Sequence, residues 1–162
     1  MEKKYKLTNE SIKFNNRTLY RIEALKDFGD VEKGDKGGFI EYEHNLSHDG
    51  NSWVCGNARV YGDAMVYGNA MVYGDARVYG NASVCGDAKI ENNSDYIVFK
   101  NWWSSGRYFT WTRSNDMWKV GCFSGTGEEL IKKAYQDSEK SGREYERLVK
   151  YLEEIKKDNY GK

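Results

Sequence analysis

Proline is absent from these 162 residues, histidine occurs only as His44 and His48, and cysteine occurs three times. Two histidines fall short of a zinc site of the three-histidine kind, and neither lies in a regular repeat, so no metal or cofactor is expected. Three cysteines make no disulfide framework. Cys55 and Cys85 lie 30 residues apart in a six-residue repeat, which puts them on different faces, beyond bridging distance. Cys122 reads as a core residue of a strand, and reduced thiols suit an intracellular protein. Long apolar runs are missing too. No stretch approaches a membrane-spanning length, and the N-terminal residues carry no signal-peptide pattern, so a soluble, cytoplasmic protein is expected. Twenty-five basic and 25 acidic residues cancel. Bulk charge therefore draws the chain to neither membranes nor polymeric nucleic acid.

What the sequence has in quantity is repetition. Residues 53–88 are six hexads: WVCGNA, RVYGDA, MVYGNA, MVYGDA, RVYGNA and SVCGDA. Valine recurs at 54, 60, 66, 72, 78 and 84, with Ile90 and Tyr96 in phase, and alanine recurs from 58 to 88. Each hexad offers one branched and one small side chain to an interior. Gly and Asn/Asp between them tolerate positive φ and turn the chain after each short strand. Three hexads make an 18-residue coil, and stacked coils build parallel sheets on three flat faces. Asn57, Asp63, Asn69, Asp75, Asn81 and Asp87 alternate in type, so an 18-residue coil stacks each Asp on an Asn. Amide-to-carboxylate ladders are the expectation there.

Val60–Ala64, Val66–Ala70 and Val72–Ala76 resemble the hexapeptide-repeat, left-handed β-helix family, an aliphatic residue followed four positions later by a small one. That resemblance implies a left-handed parallel β-helix of about three coils, in a fold that hosts acyltransferases, carbonic anhydrases and non-catalytic polymers. The mainly-β chain divides into an N-terminal β cap with an irregular first coil (1–50), the β-helix (51–95) and a C-terminal α+β module (96–162). In the cap, Ile12 and Phe14, Asn15-Asn16, and Thr18 to Ile22 spell a hairpin with a two-residue turn. Residues 27–38 read as a charged, glycine-rich loop, and an insertion around His48-Asp49-Gly50 shifts the phase by two. Beyond Ser94, residues 96–99, 107–113 and 117–123 read as strands. Thr126-Gly127-Glu128-Glu129 is a capping box that opens a helix to about Ser138. Ser141-Gly142 offers a second cap, and Tyr145, Leu148, Val149, Leu152 and Ile155 form an apolar helical stripe. This C-terminal stretch, with NRTLYRIEALKDFGDV (16–31) and Gly38–Glu41, also resembles uncharacterised phage and prophage proteins. A viral origin in a bacterial host is implied, and no catalytic residue.

Four of five tryptophans lie between Tyr96 and Phe123, with four basic residues against one acid, Asp116. Indole faces stack on bases and arginine forks bind phosphate. The candidate ligand-binding residues are thus Trp102, Trp103, Arg107, Tyr108, Trp111, Arg113, Trp118 and Lys119. The competing reading makes the alternating Phe109 and Trp111 a half-buried strand under the C-terminal helix. Tyr61, Tyr67, Tyr73 and Tyr79 follow inward valines and point outward, where sister chains of a homotrimer are expected to cover them. Arg59 and Arg77 form a basic stack that is either a solvated edge or a phosphate contact between subunits. The leading expectation is a non-catalytic phage sponge, trimeric, for a nucleotide second messenger of antiviral defence. Its alternatives are an acyltransferase with His48 as base, a polymer-forming scaffold, and a protein inhibitor.

Overall fold

The computed structural model describes residues 2–159. A hairpin of β1 (Tyr5–Phe14) and β2 (Arg17–Ala24) opens the chain, with Phe14 paired to Arg17. Asn15 and Asn16 both take positive φ, 50° and 63°, the two-residue turn that such a pair favours. The expected loop 27–38 is shorter than its glycines suggest. Strand β3 (Lys36–Ile40) already lies inside it, antiparallel to β2 and parallel to the repeat.

The six hexads and the two residues after them form seven two-residue strands: β4 (Trp53–Val54), β5 (Arg59–Val60), β6 (Met65–Val66), β7 (Met71–Val72), β8 (Arg77–Val78), β9 (Ser83–Val84) and β10 (Lys89–Ile90). The first four pair in parallel with the strand 18 residues on: Trp53 with Met71, Arg59 with Arg77, Met65 with Ser83, Met71 with Lys89. Successive strands therefore fall on three separate sheets. The hexad glycines at 56, 62, 68, 74, 80 and 86 all have φ between 58° and 69°, a conformation that costs a Cβ-bearing residue. The valines and alanines are buried in one core that also takes in Tyr5, Ile22 and Ala24 of the hairpin. Phe39 pairs with Arg59, 20 residues on, and Leu46 bridges Val66 at the same offset. This is the two-residue insertion before Val54. The Asn/Asp register is as expected, but the ladder bonds are not made: among the described residues, Asn57 accepts from Arg21 and Asp87 from Asn115 instead.

After the repeat come β11 (Tyr96–Lys100), β12 (Tyr108–Thr112), β13 (Met117–Val120) and β14 (Phe123–Gly125), an antiparallel sheet in that order, then α1 (Gly127–Asp137) and α2 (Glu139–Asn159). Sequence expects one strand across 117–123. Instead Gly121 at φ 57° turns the chain between Val120 and Phe123. Cys122 sits on that turn, exposed rather than in a core. The helix break falls at Ser138, whose hydroxyl accepts from the Ser141 amide, three residues before the expected cap. Among the described residues no helix is long and apolar enough to cross a membrane.

Period-two alternation splits the C-terminal sheet into two faces. Ile97, Phe99, Phe109, Trp111, Trp118 and Val120 pack against the helices. Tyr96, Val98 and Thr110 face the repeat. The sheet thereby closes the end of the solenoid. Within the repeat, each strand's first amide donates to a carbonyl 17 residues on, as Arg59 does to Ala76 and Met71 to Ala88. The last three such amides find side chains: Arg77 donates to Asn93 Oδ1 (2.8 Å), Ser83 to Thr110 Oγ1 (2.9 Å) and Lys89 to Ser114 Oγ (2.7 Å). One acceptor serves each sheet, so no edge amide at these positions is left unpaired.

Candidate functional site

The two-faced sheet decides where the aromatic and basic residues between 96 and 123 can act. Trp111 is fully buried and Trp118 is 2% exposed, both beneath the helices. The Trp111 indole donates to Asp116 Oδ1 at 2.8 Å, and Trp118 stacks on Phe99. Neither ring face can meet a ligand, which corrects the expectation for these two. The cause is that odd residues of β12 and even residues of β13 share the helix face. Trp103 packs edge-on to Tyr145 at 4.9 Å and donates to Ser141 Oγ, so it anchors α2. Arg113 holds Asp95, through its amide at 2.8 Å and its guanidinium at 3.1 Å, and thus secures the last corner of the repeat. Lys119 lies on the repeat side, beside a gap of only about 50 Å³ against Ser83 and Cys85. Trp102 is 67% exposed, with the Lys140 ammonium 5.1 Å above its ring.

Arg107 and Tyr108 remain, and the fold brings them together. They line a hollow of about 310 Å³ at the β11–β12 loop and the β13–β14 turn, with Asn101, Phe123, Lys133 and Tyr145 around it. Arg107 and Lys133 are its cations, and the lining has no carboxylate. Tyr108 is half exposed. Asn101 fixes the rim: its Oδ1 accepts from the amide and hydroxyl of Ser104, and its Nδ2 donates to the Tyr145 hydroxyl at 3.3 Å. Burial holds the Tyr145 phenol above its ordinary pKa, so it stays a neutral hydrogen-bonding group. Lys133 is not legible from sequence, because a lysine on the polar side of an amphipathic helix reads as solvated surface. Only the packing of α1 beside the hairpins places it here.

The outward tyrosines part company as well. Tyr61 is buried, but under this chain's own hairpin: Phe14 meets it edge-on at 5.5 Å and Arg17 lies over it. Arg59 and Arg77 stack over the same Phe14 ring, at 4.6 and 5.5 Å. These three residues therefore form an intramolecular seam with the hairpin. Tyr79 stacks on Tyr61 and stays half exposed, while Tyr67 and Tyr73 are half buried on the other two sheets.

Both histidines are taken up by structure. His44 meets the Gly62 carbonyl at 3.0 Å. His48 stacks on Tyr5 at 4.2 Å, and its Nδ1 accepts the Lys4 amide at 3.0 Å. An amide can only donate, so the neutral ring carries its proton on Nε2, a buried nitrogen with no hydrogen-bond partner. Burial is the first cause that pushes the imidazole below its usual pKa.

Comparison with known proteins agrees on the repeat. A family model described as the YdcK β-solenoid repeat matches residues 54–68, 58–74, 64–80 and 70–86. The central segment is a β-solenoid repeat. No curated protein matches the chain.

Proposed function

We propose that the protein is a non-catalytic binding protein that holds a small anionic, nucleotide-type ligand in the hollow of Arg107, Tyr108 and Lys133. The observation that carries this reading is two cations, an accessible aromatic ring and no carboxylate around one hollow of ligand size. A phosphate set between guanidinium and ammonium would leave the ligand's ring to lie on Tyr108. The repeat we take to be of the left-handed hexapeptide class, with about three coils, from its valine–alanine spacing. Trimerisation is then assigned to the sheet of β6 and β9, where Met65 is 45% exposed beside Tyr67. With the phage resemblance, the role is sequestration of a nucleotide second messenger of the host's defence.

An acyltransferase would need His48 as its base, yet that ring is stacked and its Nδ1 is occupied. A growing polymer would need open ends, and the hairpin and the C-terminal sheet cover them. The test is native mass spectrometry with a panel of cyclic di- and trinucleotides and ADP-ribose derivatives. One of them is expected to remain bound to a trimer. Arg107→Ala with Lys133→Ala should weaken it about 100-fold, as befits two charge-assisted bonds, with the melting temperature unchanged. No retained nucleotide, or an unaffected double variant, overturns the reading.

A further inference from the structure

A cleft of about 530 Å³ lies elsewhere on the molecule. It runs along β11, and all five residues from Tyr96 to Lys100 line it, opposite Tyr79, Gly80 and Asn81 of the repeat, with Tyr108, the cross-strand partner of Lys100, on its border as well. β11 is an edge: among the described residues it pairs with β12 and with no other strand. In an antiparallel ladder, hydrogen-bonded pairs alternate. Arg113 donates to the Asp95 carbonyl and Asn101 donates to that of Arg107, so the odd residues of β11 bond to β12. The amides and carbonyls of Tyr96, Val98 and Lys100 therefore point the other way, along the open edge.

Exposed edges are usually blunted by bulges, prolines or charges. β1, the outer strand of the five-stranded sheet, is treated so: its register shifts between Leu7 and Ser11, and it carries Lys6, Glu10 and Lys13. β11 pairs without a bulge over five residues and reads Tyr-Ile-Val-Phe-Lys, strongly β-forming with one charge at its end. β14, at the far side, has three residues and packs against α1.

We infer that the edge of β11 takes up an extended peptide as a fifth strand, with an acidic side chain opposite Lys100. A second copy of this chain fits less well. An antiparallel pair of β11 strands is related by a two-fold axis perpendicular to the sheet, which keeps both solenoids on one side. The partner's repeat would then meet the wall at Tyr79. A lone extended chain brings no such bulk. Charge favours an acidic segment, because Lys100 is the charged residue of the lining and no carboxylate opposes it. Main-chain bonds supply the affinity and alternate side chains the selectivity.

The probe is a short fluorescein-labelled peptide of alternating valine and threonine with one glutamate, beside a twin methylated at alternate amide nitrogens. The peptide, and not its twin, is expected to bind and to slow amide exchange at Val98 and Lys100 while Ile97 and Phe99 keep their rates. Val98→Pro removes an outward amide and spares the β12 ladder, so it should weaken binding about tenfold, the worth of one to two main-chain bonds. Should that variant misfold, Lys100→Glu with a lysine-for-glutamate peptide provides the charge-swapped pair, and affinity should return only in the swapped combination. Equal binding of peptide and twin, no binding by about 1 mM, or slowed exchange without peptide from pairing of two copies, each overturns the inference. Tyr108 borders both places, 6.0 Å from the Lys100 ammonium, so the control is Arg107→Ala with Lys133→Ala, which leaves β11 untouched: peptide binding is expected to persist there whether or not a nucleotide binds.

Discussion

The same corner is built twice, with one atom changed. At the first, buried Asn45 accepts the amides of Glu41 and Tyr42, and its Nδ2 donates to the carbonyls of Gly62 and Ala64. At the last, buried Asp95 accepts the amides of Glu91 and Asn92, and its second oxygen takes Arg113. An amide is needed where another turn of the repeat follows, because its carbonyls must be given a donor. A carboxylate suffices where the repeat ends and an arginine arrives from the cap. Asn45→Asp should therefore cost about 3 kcal/mol, since a carboxylate would face two carbonyls without a donor. Asp95→Asn should cost about 1 kcal/mol, because its weakened partner, Arg113, is half exposed and water can replace much of the lost bond. Urea unfolding of both variants checks the asymmetry, and equal losses would discredit this account of the corners.

At the scale of elements, the repeat was legible because six-fold recurrence leaves one phase for the valines. The hairpin was legible from Asn15-Asn16, as was the N-terminus of α1, where Thr126 and Glu129 exchange backbone bonds. The ligand set was less so, for a physical reason. Tryptophan and arginine form one cluster along the chain, while strand alternation sends Trp111 and Trp118 to the helix face and Thr110 to the repeat. The competing reading, Phe109 and Trp111 in a strand under the helices, is closer, although Thr110 and Thr112 on the other face are buried as well, so the strand is covered on both sides. The first helix ends at Ser138 as expected, but α2 begins at Glu139 and not at Ser141-Gly142, because Gly142 serves packing, not a cap. A Cβ there would stand 2.2 Å from the Tyr135 ring, so glycine lets α1 and α2 close together. Gly142→Ala should destabilise by about 1–3 kcal/mol despite alanine's higher helix propensity, through overpacking against a ring. A gain in melting temperature for that variant would show instead that Tyr135 can move aside.

Across the whole molecule, one core runs from the first hairpin through the repeat, and its N-terminal end is stapled by groups whose charge depends on pH. Lys4 is buried, donates to the Ser52 carbonyl at 2.7 Å and lies over Phe28, with its pKa lowered to about 8 mainly by burial. His48 sits next to it, its pKa held below the ordinary 6.5 by burial. Glu43 and Asp49 raise that value, and Lys3 and Lys4 lower it further. For both groups the unfolded chain binds more protons than the folded one within the window between the two pKa values, so stability rises with pH there. The His48 contribution is complete above pH 6.5 and is lost as acid protonates the ring, breaks the hydrogen bond that the Lys4 backbone N–H donates to Nδ1 and buries a charge. A second rise follows above about pH 8 as Lys4 sheds its proton. Urea unfolding across pH 5–7.5 should show the first slope in the wild type and its absence in His48→Gln, whose amide oxygen can still accept from Lys4. Hydrogen exchange at pH 5 should open β1 before the solenoid strands, because the titrating ring is fastened to the first of these and not to the second. An unchanged slope in His48→Gln would mean that the acid sensitivity resides elsewhere than in this staple.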